Sequence, residues 1–223
     1  MPRVYKELRL TGSNLWYVVG LITTDGCLSN DHRHIDITSK DYQLLKAVKS
    51  AASLTNKITD KYNGRGQKSY RIGLANRKFY DFLLSVGLMT NKSLILGPID
   101  VPREYFADFL RGVIDGDGCI RTWIHPTNHG KQWSLRVYSG SRRFLLWLRD
   151  MVTQQFSVTG SMHVNDTKAN PCWILKYGKM AAREICRRCY YPRCIGLNRK
   201  IVLAGKCVNA RFGWGRSKTV LNH

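Results

Sequence analysis

Val18-Val19-Gly20-Leu21-Ile22-Thr23-Thr24-Asp25-Gly26-Cys27-Leu28 returns in altered form as Leu110-Arg111-Gly112-Val113-Ile114-Asp115-Gly116-Asp117-Gly118-Cys119-Ile120, with Gly20 and Gly112 92 residues apart. The stretches after the two copies are alike too: a polar hairpin, then Ile35-Asp36-Ile37-Thr38-Ser39 against Leu135-Arg136-Val137-Tyr138-Ser139, then an amphipathic stretch with Leu44-Leu45 or Leu145-Leu146. The leucine pairs are 101 residues apart. The extra nine residues are expected in the second hairpin, around Pro126 to Gln132, because loop tips tolerate insertion. A third echo sets Thr90-Asn91-Lys92-Ser93 against Asn198-Arg199-Lys200-Ile201. Two copies of about 100 residues predict helix, hairpin, helix, hairpin, helix in each half, and a pseudo-twofold particle; a solenoid would need more and shorter copies.

Composition narrows the partner. The 223 residues are 43% hydrophobic, enough to bury a core as one compact domain or two in contact. Lys and Arg number 36 against 15 Asp and Glu, a net charge of +21 with a pI near 10.0. A polyanion is the expected partner, nucleic acid first, since a basic face gains affinity by releasing counterions condensed on phosphates. Met1 to Gly12 carries Arg3, Lys6, Glu7 and Arg9 and lacks the apolar core of a signal peptide, so secretion is not expected. Leu15 to Ile22, the longest apolar run, is too short for a membrane span. An intracellular setting is expected, either a bacterial or archaeal cytoplasm or an organelle. Seven cysteines, an odd number, read as reduced thiols. Cys186, Cys189, Cys194 and Cys207 could ligate metal, but their spacing fits no familiar pair of pairs, and small buried residues at a helix end is the favoured reading.

Strand parity separates a core face from a polar face. Ile35 and Ile37 point opposite to His34, Asp36 and Thr38; Leu135 and Val137 point opposite to Ser134, Arg136 and Tyr138. The second hairpins repeat this, Tyr70 and Ile72 against Ser69 and Arg71, and Met162 and Val164 against Ser161, His163 and Asn165. Such faces are often merely solvated. Here the charge excess and the twofold repeat favour a saddle that reads DNA, because a two-stranded ribbon fits the major groove.

Each repeated motif reads as a helix ending at Asp-Gly, with Gly26 and Gly118 suited to the left-handed position past a helix end. Gly20 with Thr24, and Gly112 with Gly116, put small residues four apart on one face, which lets two helix backbones approach closely. A lone copy would be an ordinary packing helix. Two copies with the same terminal acid bring Asp25 and Asp117 together, and paired carboxylates call for a cation between them. Helix C-termini add negative dipole and the free carbonyls of Thr24 and Gly116, so the seam suits a hard divalent ion, Mg2+ first, able to serve phosphodiester cleavage. The alternative is that the acids only cap the following turn.

Both segments resemble the LAGLIDADG motif, and the order of elements is similar to that of the LAGLIDADG homing endonucleases over nearly the whole chain. The resemblance implies an α+β fold of two pseudo-twofold αββαββα halves, residues 1–98 and 99–208, with a basic tail at 209–223 holding Arg211, Arg216 and Lys218. It implies motif helices at the interface, packed through Gly20 and Gly112, and an antiparallel sheet from each half straddling DNA. Asp25 and Asp117 would ligate two or three Mg2+ ions, with Ca2+ or Mn2+ able to substitute. Lys92 and one of Arg199 or Lys200, with Lys200 preferred, would be the basic active-site residues. Thr23 departs from the motif where the second copy keeps Asp115, a position that does not ligate metal in the family. The implied activity is a metal-dependent double-strand break in a long, asymmetric DNA site, leaving short 3′ overhangs, by an intron-encoded monomer.

Parity and analogy nominate Ser29, His32, His34, Asp36, Lys61, Ser69 and Arg71 as DNA contacts of the first half. Arg121, Trp123, His125, Gln132, Ser134, Arg136, His163 and Lys176 are those of the second. Two other functions on the same frame compete: an RNA-binding intron maturase, and a non-catalytic DNA-binding regulator, in which a motif acid or lysine would be expected to have decayed. Both acids and both lysines are intact here.

Overall fold

The computed structural model describes residue 8 and residues 10–127, 129–165 and 171–210. The basic residues Arg3, Lys6 and Arg9, and Arg211, Arg216 and Lys218 of the tail, lie outside them. The first half runs α1 (Gly12–Asp25), β1 (Gly26–Leu28), β2 (His34–Ser39), α2 (Tyr42–Ala51), β3 (Ile58–Tyr62), β4 (Lys68–Ala75) and α3 (Arg77–Ser85). After a single 3-10 turn, Arg103–Tyr105, the second half runs α4 (Phe106–Asp117), β5 (Gly118–Ile124), β6 (Lys131–Ser139), α5 (Arg142–Phe156), β7 (Ser161–Asn165), β8 (Cys172–Tyr177), α6 (Lys179–Cys189) and α7 (Asn198–Val208). The α+β architecture expected from the repeat is present. Each half forms a four-stranded antiparallel sheet, ordered β1-β2-β4-β3 and β5-β6-β8-β7. Among the described residues no helix is long and apolar enough to cross a membrane.

The close approach of α1 and α4 sets the frame, and these helices make the most extensive contact between elements. A Cβ on Gly20 would sit 2.1 Å from the Phe109 carbonyl oxygen, and one on Gly112 would sit 2.2 Å from the Tyr17 carbonyl oxygen. Tyr17 and Phe109 occupy equivalent places in the repeat, so the two contacts are twofold images of each other. Further along, a Cβ on Gly116 would fall 1.9 Å from Thr24 Oγ1. Only glycine lets the two backbones meet here.

Four expectations need correction. Gly26 and Gly118 do not adopt left-handed backbone: their φ values are −99° and −97°, because each helix runs straight into a strand. Glycine is required there for space, as a Cβ would lie 2.6 Å from Ile22 Cα in one copy and from Ile114 Cα in the other. The helices after the first hairpins align at an offset of 100: Asp41 and Ser141 are their N-caps, so buried Leu44 and Leu45 match buried Phe144 and Leu145, not Leu145 and Leu146. The extra residues of the second hairpin are mostly paired strand, β5 having 7 residues against 3 in β1 and β6 having 9 against 6 in β2. The late echo is structurally unequal, since Lys92 lies in a turn while Lys200 lies in α7.

Register fixes the faces. Ile35, Ile37 and Ile72 of one sheet and Leu135, Val137 and Leu175 of the other are fully buried against the helices. Val164 shares the core parity but is 44% exposed, on the edge strand β7. Gly112→Ala should destabilise the protein by about 3 kcal/mol or more, as overpacking against main chain cannot relax by a rotamer change. Gly205→Ala on α7, where nothing lies within 4 Å of the added Cβ, should stabilise by about 0.5–1 kcal/mol. Urea unfolding of both checks this, and a neutral Gly112→Ala would mean the helices can part freely.

Candidate functional site

Because α1 and α4 lie side by side with their C-termini at the same end, Asp25 and Asp117 converge on the seam. Asp25 Oδ2 is 3.3 Å from the Cβ position of Gly116 on the opposite helix. Burial, and after it the negative charge of Asp117, pushes the Asp25 carboxyl up from 3.8 to about 6. Burial raises Asp117 as well, against the pull of Lys200 and Lys92. Two carboxyls, Asp25 half-buried and Asp117 more open, are therefore held where neither ionises easily.

Two ammonium groups close the cluster. Lys92 is 7% exposed and donates to the Gly26 carbonyl at the end of α1; burial lowers its pKa, opposed by Cys27 and the two aspartates. Lys200 is 2% exposed and donates to the Ile114 carbonyl and, at 2.8 Å, to the Asp115 carbonyl. Burial brings it down to about 8, against Asp115 and Asp25. Of the two basic candidates in the second half it is Lys200 that turns to the seam. Arg199 is exposed and lines a cleft of about 680 Å³ beside it, with Asp25, Thr38, Ser69, Asp115 and Gly116.

Asp115 faces inward and is 3% exposed. Its Oδ1 accepts from Tyr190 Oη at 2.8 Å, and its Oδ2 accepts from Tyr17 Oη at 2.9 Å and from the Leu197 N–H at 2.7 Å. Thr23, its counterpart, bonds back to the Val19 carbonyl of its own helix. Arg111, fully buried, pairs with Asp108 at 2.8 Å and donates to the Ile195 and Cys189 carbonyls at 2.9 Å each. Sequence reading missed this set. The i, i+3 spacing of Asp108 and Arg111 was a usable signal, whereas nothing in the sequence ties Tyr190 or Leu197 to α4.

Register gathers most of the nominated contact residues on two polar faces. In the first half Asp36 lies across from Cys27 and Gly73, Arg71 from Thr38 and Thr59, and Lys61 from Ser69. Arg71 Nη2 donates to Asp36 Oδ2 at 2.7 Å, and Lys61 Nζ to Thr38 Oγ1 at 3.3 Å. His34, held by Asp31, shares the face, while Ser29 and His32 sit in the β1–β2 loop, His32 edge-on to Tyr80. In the second half Cys119, Arg136, Lys176 and Ser161 form one row across the sheet. Trp123 and Gln132 pair near the hairpin tip, His125 begins the turn, and Arg121 faces Ser134. Arg136, His163 and Lys176 line a shallow pocket with Ile174. Ser134 is the exception: at 1% exposure it is covered where a partner would need it open. Thr38, Thr59 and Tyr138 belong to the same faces and were not nominated. Among the described residues there is no group of three or more His, Cys, Asp or Glu placed to hold a metal ion, and Cys186, Cys189 and Cys207 are buried free thiols.

Residues 13–87 match the model of the LAGLIDADG-like domain, which thus covers the first copy of the repeat. The chain overlays on the homing endonuclease I-WcaI bound to its DNA recognition sequence with a TM-score of 0.60 at 13% identity, covering 84% of this chain and 88% of that one. It overlays on the meganuclease I-SmaMI bound to uncleavable DNA with a TM-score of 0.56 at 11% identity, covering 86% and 90%. Full-length DUF199/WhiA from Thermatoga maritima overlays with a TM-score of 0.57 at 13% identity, covering 92% of this chain and only 62% of that one. At these identities the likeness establishes a shared fold. No curated protein matches the chain in sequence.

The raised Asp25 carboxyl fixes a sign. A group protonated more readily when folded contributes stability below its unfolded value of 3.8 and loses it as pH rises through about 6. In chelator at pH 7, Asp25→Asn should therefore be more stable than the native protein by about 2 kcal/mol, with the difference vanishing near pH 4. Thermal unfolding across that range checks it, and a variant less stable at pH 7 would contradict the strained seam.

Proposed function

We propose that this chain, whose fold is that of the LAGLIDADG homing endonucleases, is a monomeric, site-specific endonuclease that makes a divalent-metal-dependent double-strand break in a long, asymmetric DNA target, leaving short 3′ overhangs. The observation that carries the proposal is the meeting of two carboxyls from matched helix ends, Asp25 and Asp117, with two buried ammonium groups, Lys92 and Lys200, at the seam between two polar β faces. Residues 1–98 and 99–208 are the halves that take the two sides of the target, and 209–223 adds a basic tail. Both acids come from one chain, so the site needs no second copy. The net charge of +21 supports a polyanionic partner, and the fold shared with I-WcaI and I-SmaMI, each solved on DNA, supports duplex DNA as that partner.

The donor set fits a hard divalent cation such as Mg2+, with Ca2+ or Mn2+ able to use the same oxygens. Asp25 and Asp117 would hold it, with the carbonyls of Thr24 and Gly116 at helix C-termini whose dipoles favour positive charge. The repulsion that raises the Asp25 carboxyl is what a cation relieves. When bound, such ions supply Lewis acidity and an activated water for in-line phosphodiester cleavage. Lys92 and Lys200 hold positive charge at the seam, where a scissile phosphate gathers negative charge. The polar faces hold the duplex in register, Arg71 through Asp36 with its guanidinium fixed for a base edge, and Arg121, Arg136 and Lys176 as cations for phosphates or guanines.

A library of candidate intron-insertion DNA sites, incubated with Mg2+ and the native protein, Asp25→Asn or Asp117→Asn, tests the reading. Metal-dependent double-strand cuts at one long site are expected from the native protein. Either substitution should reduce cutting by about a hundredfold or more while leaving DNA binding in place. No cutting by any of the three, with unchanged binding to DNA or RNA, would replace the nuclease with a regulator or maturase on the same frame.

A further inference from the structure

The two lysines at the seam are held by different means. Lys92 sits in a turn whose own main chain closes on it, Leu96 N–H donating to its carbonyl at 2.9 Å, and its ammonium reaches Gly26. Lys200 sits in the first turn of α7, whose N-cap, Leu197, offers no side-chain cap. That helix start is tied instead to Asp115. Asp115 Oδ2 takes the Leu197 N–H at 2.7 Å, the Leu197 carbonyl takes the Lys200 N–H at 2.8 Å, and Lys200 Nζ returns to the Asp115 carbonyl at 2.8 Å. The ring closes on one residue. The approaching chain packs against the same carboxylate, a Cβ on Gly196 falling 3.0 Å from Asp115 Oδ2. Arg111 holds the segment upstream through the Cys189 and Ile195 carbonyls. In the first half the Thr23 hydroxyl turns back onto α1 itself, so among the described residues Lys92 has no such strut.

We propose that Asp115 is a positioning residue for Lys200, and that it serves the cutting of one DNA strand and not the other. This rests on the nuclease reading. A duplex across a pseudo-twofold seam presents two scissile phosphates exchanged by the same twofold, so each lysine serves one strand. A strut present in one half only gives the strands different dependences on the protein. Asp115 takes three donors on two oxygens, whereas asparagine offers one oxygen and turns an NH2 toward a donor. Asp115→Asn therefore loosens the start of α7.

Strand-resolved cleavage of an end-labelled target reads the consequence. Asp115→Asn should slow one strand about tenfold or more and leave the other within about twofold, so that nicked DNA accumulates, and the slowed strand should be the one slowed by Lys200→Met. Tyr190→Phe, which removes a single hydroxyl from the same carboxylate, should give the same bias more weakly and keeps the test open if Asp115→Asn folds poorly. A general structural defect would slow both strands alike, and that result overturns the proposal. Amine acylation read by mass spectrometry tests the positioning without cleavage. Lys200 labelling should rise about tenfold in Asp115→Asn while Lys92 labelling stays unchanged. Unchanged Lys200 labelling overturns the proposal even if the native protein cuts. Absence of cutting by the native protein defeats the nuclease reading, and the labelling then still decides whether Asp115 holds Lys200.

Discussion

Everything in this structure depends on two helix backbones touching. The carbonyls of Tyr17 and Phe109 occupy the space where Gly112 and Gly20 would carry a Cβ, at 2.2 and 2.1 Å. At that separation side chains cannot mediate the contact, and the twofold relation of the halves comes from main-chain geometry. The same contact dictates the chemistry. Helices that meet this closely at matched glycines, running the same way, must end together, so both C-terminal dipoles and both terminal aspartates arrive at one point. The seam concentrates negative charge because the packing requires it.

That concentration costs stability, and the structure offsets it only in part. Asp25 and Asp117 are both pushed toward protonation, while Lys92 and Lys200, brought in from the later segments of each half, are themselves pushed toward neutrality by burial. A frame selected for stability alone would replace all four with apolar groups. On the nuclease reading, retaining them is what a site that works on a phosphate requires. Asp115 shows the contrast: an acid two residues away from Asp117, more deeply buried, with all its donors drawn from the protein, and so committed to architecture.

The repeat made much of this legible. Two copies of a small-xxx-small helix ending in Asp-Gly fix the seam, and period-two alternation through Ile35, Ile37, Leu135 and Val137 fixes which face is core. Where sequence reading failed, local pattern had more than one structural solution. Gly26 and Gly118 looked like left-handed caps because glycine is common there, but each is demanded by a strand leaving the helix over Ile22 or Ile114. The leucine pairs misaligned by one residue because Phe144 takes the place of Leu44, an aromatic standing in for an aliphatic at a core position. Contacts from Tyr190 and Leu197 to Asp115 span 75 and 82 residues and obey no periodicity, so only the fold could bring them together.

Duplication supplies symmetry, and the polar faces have since departed from it. Asp36 and Arg136 occupy the same place in the two sheets, each across from the cysteine just past its motif helix, Cys27 or Cys119. One presents an acid already engaged by Arg71, and the other a cation beside Lys176. The strands of the first sheet carry Asp36 and Asp60; among the described residues, those of the second carry no acid. A partner lying across both faces meets an ion pair at one of these points and a pair of cations at the other. A palindromic duplex would offer both faces the same base edges, which an ion pair and a pair of cations do not read alike. On the nuclease reading, a target whose two halves differ in sequence suits this inequality, and the unlike pair Asp36 and Arg136 marks a point where the two faces have diverged.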